Sequence, residues 1–223
     1  MKKVLITGTS SGIGKATAGR YLSSGYEVYG IDRNGGTLSH RNYRHYVADV
    51  RDMKSLPKLF GMNTVINNAG VADDSASIAV NLEGYINVIE AYCFQENIEA
   101  LVNIGSLSAR AGLESIRYCA SQGGRVSLTK WCAKHLGEKY GACCNCISLG
   151  AVRTGFEPEL YADKELYRQV ADENLLKRWI EPKEIAEWIY FVAEINKSMT
   201  GQEILIDCGE EVNYNFISAE QGI

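Results

Sequence analysis

Proline, histidine and long apolar runs are what this chain has least of. Its only prolines are Pro57, Pro158 and Pro182, so no Pro-rich linker divides it. Its only histidines are His40, His45 and His135, and none of them forms a ligand pair with a cysteine. No apolar run approaches the ~18 residues that cross a bilayer, so no membrane partner is expected. Basic charge is not in excess either. The 23 Lys plus Arg stand against 27 Asp plus Glu, a net charge of −4, which argues against nucleic acid as a partner. Repeats and low-complexity segments are absent. What is present is 46% apolar residues in 223, enough for a full core, and a single domain over residues 1–223 is the natural reading.

Cysteine is more plentiful, at seven residues. The run Met1-Lys2-Lys3-Val4-Leu5-Ile6-Thr7-Gly8 meets glycine too early for the apolar segment of a signal peptide. An odd cysteine count without such a segment implies free thiols in a reducing compartment, so a cytoplasmic location is expected. The cluster Cys143-Cys144-Asn145-Cys146 lacks histidine partners and reads as a buried strand of small residues, with no metal expected.

Strand and helix patterns alternate along the chain. Strands are expected over Val4–Thr7, Tyr26–Ile31, Tyr43–Ala48, Thr64–Asn67, Leu101–Ile104, Cys143–Ser148 and Gln202–Asp207. Helices are expected up to about Ser24 and over Ile78–Glu96, Tyr118–Tyr140, Lys164–Leu176 and Pro182–Glu194. This alternation predicts an α/β fold: one Rossmann-type, doubly wound parallel sheet with helices on both faces.

Between the first strand and first helix lies Thr7-Gly8-Thr9-Ser10-Ser11-Gly12-Ile13-Gly14. Glycines here let backbone amides approach a pyrophosphate at a helix N-terminus, where the helix dipole favours anions. Gly8, Ser10, Ser11, Gly12, Ile13 and Gly14 are the expected phosphate-side contacts. Asp32, 18 residues beyond Gly14, ends the second strand, where a carboxylate can accept hydrogen bonds from a ribose diol. That carboxylate would repel a 2′-phosphate, which favours NAD over NADP; the neighbouring cations Arg33 and Lys15 temper the preference.

These residues resemble the short-chain dehydrogenase/reductase family, and the resemblance runs the length of the chain. The glycine loop matches that family's Thr-Gly-x-x-x-Gly-x-Gly pattern, and Asn67-Asn68-Ala69-Gly70 its Asn-Asn-Ala-Gly motif. The resemblance implies that Asp49 and Val50 face the adenine and that Asn68, Ala69 and Gly70 border the cofactor. It implies a catalytic set of Asn81, Ser106, Tyr118 and Gln122, the tyrosine 12 residues after the serine, with Tyr118 and Gln122 also touching the cofactor. Gly150, Val152 and Thr154 would lie in the loop at the nicotinamide, and about residues 153–181 would cover the substrate. Met199-Thr200-Gly201-Gln202 and Ile206-Asp207 resemble the closing segment. The implied partner is a small-molecule alcohol or ketone, and the implied assembly is a homodimer or homotetramer built through the helices at 78–96 and 118–140.

One departure bears on the chemistry. The family places a lysine four residues after the tyrosine, on the same helix face, where it lowers the tyrosine pKa and binds the nicotinamide ribose; the asparagine holds a water linking that lysine to solvent. Here the position is Gln122. An amide can still donate to a ribose hydroxyl but carries no charge. A unit charge ~4 Å away at an effective dielectric of ~20 is worth ~4 kcal/mol. Without it Tyr118 is expected to stay protonated near neutral pH, weakening alcohol oxidation more than carbonyl reduction; a dinucleotide-binding protein with little catalysis is the alternative. Arg125 shares the face, about 10 Å along the helix axis from Tyr118, within partial reach of a side chain leaning back. Two lesser departures are Leu149, where the family usually has proline, and Cys208, where glycine is common. The chain is also trimmed: Asp32 to Asp49 spans 17 residues and Gly70 to Asn81 spans 11, too few for full helical crossings. In the covering segment, Phe156, Leu160, Tyr161, Tyr167 and Trp179 would suit a ring-containing or hydrophobic substrate, and equally the packing of helices on the body and on a neighbouring subunit.

Overall fold

A computed structural model describes residues 1–155 and 163–213. Phe156, Leu160 and Tyr161 of the covering segment lie outside the described residues. Seven strands form one sheet: β1 (Lys3–Thr7), β2 (Glu27–Asp32), β3 (Tyr43–Val47), β4 (Thr64–Asn67), β5 (Ala100–Ser106), β6 (Cys143–Leu149) and β7 (Glu203–Ile206). All neighbouring pairs are parallel, in the order β3-β2-β1-β4-β5-β6-β7. The central strands are apolar runs without alternation because both their faces are covered. Val4, Leu5 and Ile6 of β1 are wholly buried, and so are Val65 and Ile66 of β4.

The helices are α1 (Gly12–Ser23), α2 (Asp74–Ile78), α3 (Gly84–Tyr92), α4 (Ser108–Ala111), α5 (Ile116–Tyr140), α6 (Lys164–Glu173) and α7 (Pro182–Tyr190). One core joins Ala18 and Tyr21 of α1 to Ile185 and Ile189 of α7 beneath the sheet. The other joins Val88, Ile89 and Tyr92 of α3 to Cys132 and Leu136 of α5. Helices therefore cover both faces, as the alternation predicts. No described helix is long and apolar enough to cross a membrane.

One departure from the expected elements shapes the site. The helix expected over Ile78–Glu96 is divided into α2, a π-turn at Ala79–Glu83, and α3. Asn81 lies in the π-turn, its amide clasping the Val71 backbone in both directions, Nδ2 to the carbonyl at 2.8 Å and Oδ1 from the N–H at 2.9 Å. Helical residues 84–92 begin at Gly84, where a Cβ would stand 2.7 Å from Val50 Cγ2. Neither residues 33–42 nor residues 48–63 form a helix. The short span after Asp32 anticipates the first omission; in the second, Leu56 and Met62 bury themselves in the core from turns.

Candidate active site

A cavity of about 930 Å³ runs past the C-terminal ends of the strands, where β1 and β4 lie side by side and their connections diverge to opposite sides. Such a switch point is where open α/β sheets bind ligands. Gly8, Ser11 and Ile13 form one wall. Gly8 has a positive φ of 77°, and a Cβ on Gly14 would sit 2.1 Å from the Gly8 carbonyl oxygen, so the turn closes only on glycine. Ser11 caps α1 without a side-chain hydrogen bond, and no carboxylate occupies the first turn. The N–H groups there are uncompensated, which suits an anionic pyrophosphate.

Ser10, Gly12 and Gly14 shape this loop behind the cavity wall. The Ser10 N–H donates to Asp32 Oδ2 at 3.0 Å, and Gly12, with φ of +50°, faces the Thr154 side chain. Asp32 and Arg33 line the cavity. Asp32 also accepts the Asn34 N–H at 2.9 Å, which fixes its carboxylate while leaving lone pairs for a diol. Further along, Asp49 and Val50 also line it. Arg51 Nη2 lies 2.6 Å from Asp49, and this hydrogen bond holds the carboxyl below its usual range.

Thr7, which the motif reading leaves without a role, clamps the opposite wall. Its Oγ1 accepts the N–H groups of Asn68 and Ala69, each at 2.9 Å, and its carbonyl accepts Asn68 Nδ2 at 2.8 Å. Gly70 follows at the cavity surface, 3.5 Å from Arg125 Nη2 to the position a Cβ would take.

All four residues expected to be catalytic, Asn81, Ser106, Tyr118 and Gln122, reach this same cavity. Ser106 ends β5, and its Oγ accepts the Ser108 N–H at 3.2 Å. Tyr118 and Gln122 are one turn apart on α5, and Gln122 is buried. Arg125 is drawn into the fold beside Gln122: it is 4% exposed, and Nη1 donates to Gln122 Oε1 at 3.0 Å. The same nitrogen donates to the Ile104 carbonyl at 2.7 Å, and Nε donates to the Asn81 carbonyl. Asn81 thus gives its amide to Val71 and its carbonyl to Arg125.

Gly150, Val152 and Thr154 line the far end. Their loop is pinned by a parallel bridge between Val152 and Ile180, with Ile180 N–H to Ala151 O at 3.0 Å. Glu210, which no motif marked, accepts the Ala151 N–H at 3.1 Å and comes within 2.5 Å of where a Gly150 Cβ would be. Burial pushes its carboxyl above the usual range. Trp179 also lines this end, stacked on Tyr167 at 4.8 Å between ring centroids. An aromatic excess in the covering segment is the only sequence signal for Trp179.

A family model described as enoyl-(acyl carrier protein) reductase matches residues 8–211. The 3-oxoacyl-[acyl-carrier-protein] reductase FabG of Thermotoga maritima is 30% identical over 244 residues, covering 93% of this chain and 97% of that protein. A crystal structure of a short chain dehydrogenase family protein from Francisella tularensis superposes with a TM-score of 0.86 at 27% identity, covering 95% of this chain and 99% of that one. A 4-hydroxyisoleucine dehydrogenase complexed with NADH superposes with a TM-score of 0.84 at 25% identity, covering 95% and 99%. With the glycine turn, the switch-point cavity and the Ser106–Tyr118 pair in place, these matches identify the chain as a member of the short-chain dehydrogenase/reductase family of oxidoreductases.

Proposed function

We propose that this chain interconverts a secondary alcohol and a ketone, using NAD in preference to NADP. The observation that carries this reading is the meeting, in one cavity, of the Ser106 and Tyr118 hydroxyls with the Asp32 carboxylate and the uncapped start of α1. The pyrophosphate would rest on the α1 N-terminus and a ribose diol on Asp32, with the nicotinamide toward Gly150, Val152 and Thr154. Bound there, NAD supplies the hydride acceptor for oxidation, and its reduced form the hydride for reduction. Ser106 Oγ donates a hydrogen bond to the substrate oxygen and orients it. Tyr118 takes the alcohol proton in one direction and returns a proton to the carbonyl oxygen in the other. Reduction uses the tyrosine in its neutral form, so it is the direction that tolerates Gln122 better. Solved neighbours carry either cofactor, NADH in the 4-hydroxyisoleucine dehydrogenase and NADP in a putative 2-deoxy-d-gluconate 3-dehydrogenase, so the preference for NAD rests on Asp32. Seven unpaired cysteines fit a cytoplasmic setting, and assembly as a homodimer or homotetramer completes the reading.

The test is turnover of a panel of ketones and secondary alcohols with NADH/NAD and NADPH/NADP. Ketone reduction is expected with NADH above NADPH, and Asp32→Ala is expected to narrow that ratio. Tyr118→Phe is expected to lower kcat by about 10²–10⁴, the range for a positioned acid or base. Tight NADH binding with no turnover anywhere in the panel would replace this reading with a dinucleotide-binding protein that lacks catalysis, the outcome Gln122 would then explain.

A further inference from the structure

Among the described residues, Arg125 is a buried cation with no anion beside it. Its N–H groups meet the Asn81 and Ile104 carbonyls and Gln122 Oε1, and its Cζ lies 3.9 Å above the Tyr85 ring. None of these partners carries a negative charge, and Nη2 is buried with no hydrogen-bond partner. Buried charges are ordinarily paired, because desolvation is costly and neutral dipoles offset only part of it. A guanidinium held this way, at 4% exposure, projects an unneutralised positive potential into the wall of the cavity.

Its contact with Gln122 directs that potential. With Oε1 taken by Arg125, the Gln122 carboxamide is fixed in one orientation, and Nε2 is the end left to donate. Among the described residues, the partner of Nε2 is Ser121 Oγ, at a long 3.4 Å. Donation into Oε1 by a charged group polarises the amide and strengthens its remaining N–H groups. The orphaned Nη2 lies 3.5 Å from the place a Gly70 Cβ would take, at the turn that borders the cavity. A ligand hydroxyl or water oxygen would satisfy it there.

We propose that Arg125 is a positioning residue that acts through Gln122, the two together supplying the charge and the ribose donor that a single lysine provides elsewhere in the family. The proposal rests on the oxidoreductase reading above. It has a corollary: positions 122 and 125 are exclusive. A lysine at 122 would face the Arg125 guanidinium at hydrogen-bond range in a buried site, so the change that restores the family residue is expected to harm this chain unless Arg125 is neutralised with it.

The experiment follows Tyr118 ionisation in the ligand-free chain by ultraviolet difference titration, each variant blanked against the same variant carrying Tyr118→Phe. The pH profile of alcohol oxidation, the NADH dissociation constant and the thermal midpoint are measured beside it. Arg125→Gln keeps donors for the Asn81 and Ile104 carbonyls and removes the charge; Arg125→Met is the second neutral variant if that one fails to fold. Other titratable groups facing this corner are Tyr85 on α3 and Cys146 on β6, the latter pushed up to about 12 by burial. Asp74 is paired with Arg117 at the start of α5, and Glu114, Glu173 and Glu210 stand at the cavity wall. These groups are common to every variant, so differences report position 125.

Neutralising Arg125 is expected to raise the Tyr118 midpoint by about one unit, tenfold in the ionisation constant, and to move the oxidation profile with it. NADH binding should weaken as well. Arg125→Lys is expected to keep most of the wild-type midpoint. Gln122→Lys is expected to melt below wild type, and Gln122→Lys with Arg125→Gln to recover both folding and a low Tyr118 midpoint. A folded neutral variant with an unchanged midpoint overturns the proposal, as does a fully stable, more active Gln122→Lys. Because the titration needs no substrate, absence of turnover in every variant would sink the oxidoreductase reading while leaving this one decided.

Discussion

At the scale of single residues, the chain places side chains where the backbone would favour none. Cys208 follows Asp207 after the last strand with φ of 55°, in the left-handed region, at a position where the family commonly has glycine. A Cβ in that conformation costs roughly 1 kcal/mol. Cys208→Gly is therefore expected to raise the thermal midpoint by about 2–4 °C, measured by calorimetry, since the side chain is only partly packed. Glu210 gives a pH-dependent counterpart. Burial raises its folded-state pKa, so its charged form is disfavoured in the native chain. The contribution it makes to stability is full below the ordinary carboxyl range, about pH 4, and is lost as pH rises through the folded value. Glu210→Gln keeps an acceptor for the Ala151 N–H and removes the titration. Urea unfolding should show the variant gaining on wild type between about pH 4 and pH 7. Equal pH slopes for the two proteins would mean that Glu210 does not titrate in the native state as its burial requires.

At the scale of elements, the sequence showed the central strands and most helices most clearly, because their apolar runs are short and bounded by glycine or polar residues, while β3, broken by Arg44 and His45, is the weakest. Val4–Ile6 and Thr64–Asn67 are legible in this way, and the glycine turn between β1 and α1 is legible because only glycine fits it. The broken helix was not. Ile78, Leu82, Ile86 and Ile89 keep helical spacing across the π-turn, and spacing cannot report that Asn81 turns inward to clasp Val71. The reach of Arg125 was hidden for a related reason. A helical face places it near Gln122, but its burial depends on carbonyls at Asn81 and Ile104, from two other segments. Gly84 makes the broken element testable. With a Cβ 2.7 Å from Val50 Cγ2, Gly84→Ala should push α3 away from the wall expected to face the adenine. Overpacking of this kind costs about 1–3 kcal/mol, and NADH titration by fluorescence should show weaker binding alongside it. Unchanged affinity would separate Val50 from the cofactor site.

For the whole molecule, no helix stands between β2 and β3 or between β3 and β4, which leaves the sheet with less helical cover on one side of the switch point, while the connections from β4 to β6 carry α3 and the 25-residue α5. Those two helices carry aromatic surface that the chain itself does not bury. Trp131 on α5 is 48% exposed and Phe94, just past α3, is 41% exposed; their ring centroids are 6.2 Å apart, and Trp131 stacks on His135 at 4.0 Å. Single exposed apolar residues are ordinary, but an aromatic pair bridging α5 and the end of α3 is the composition found at interface centres. The resemblance to the family places a two-fold axis against these same helices, and a two-fold contact would set each aromatic pair near its own copy. Light scattering is therefore expected to return a mass two or four times that of the chain. Trp131→Glu, which places a charge at the centre of that face, is expected to lower the assembly state while leaving the far-ultraviolet circular dichroism unchanged. A wild-type chain that is monomeric at all concentrations rejects the assembly, and an oligomer indifferent to Trp131→Glu moves the interface to another face of the molecule.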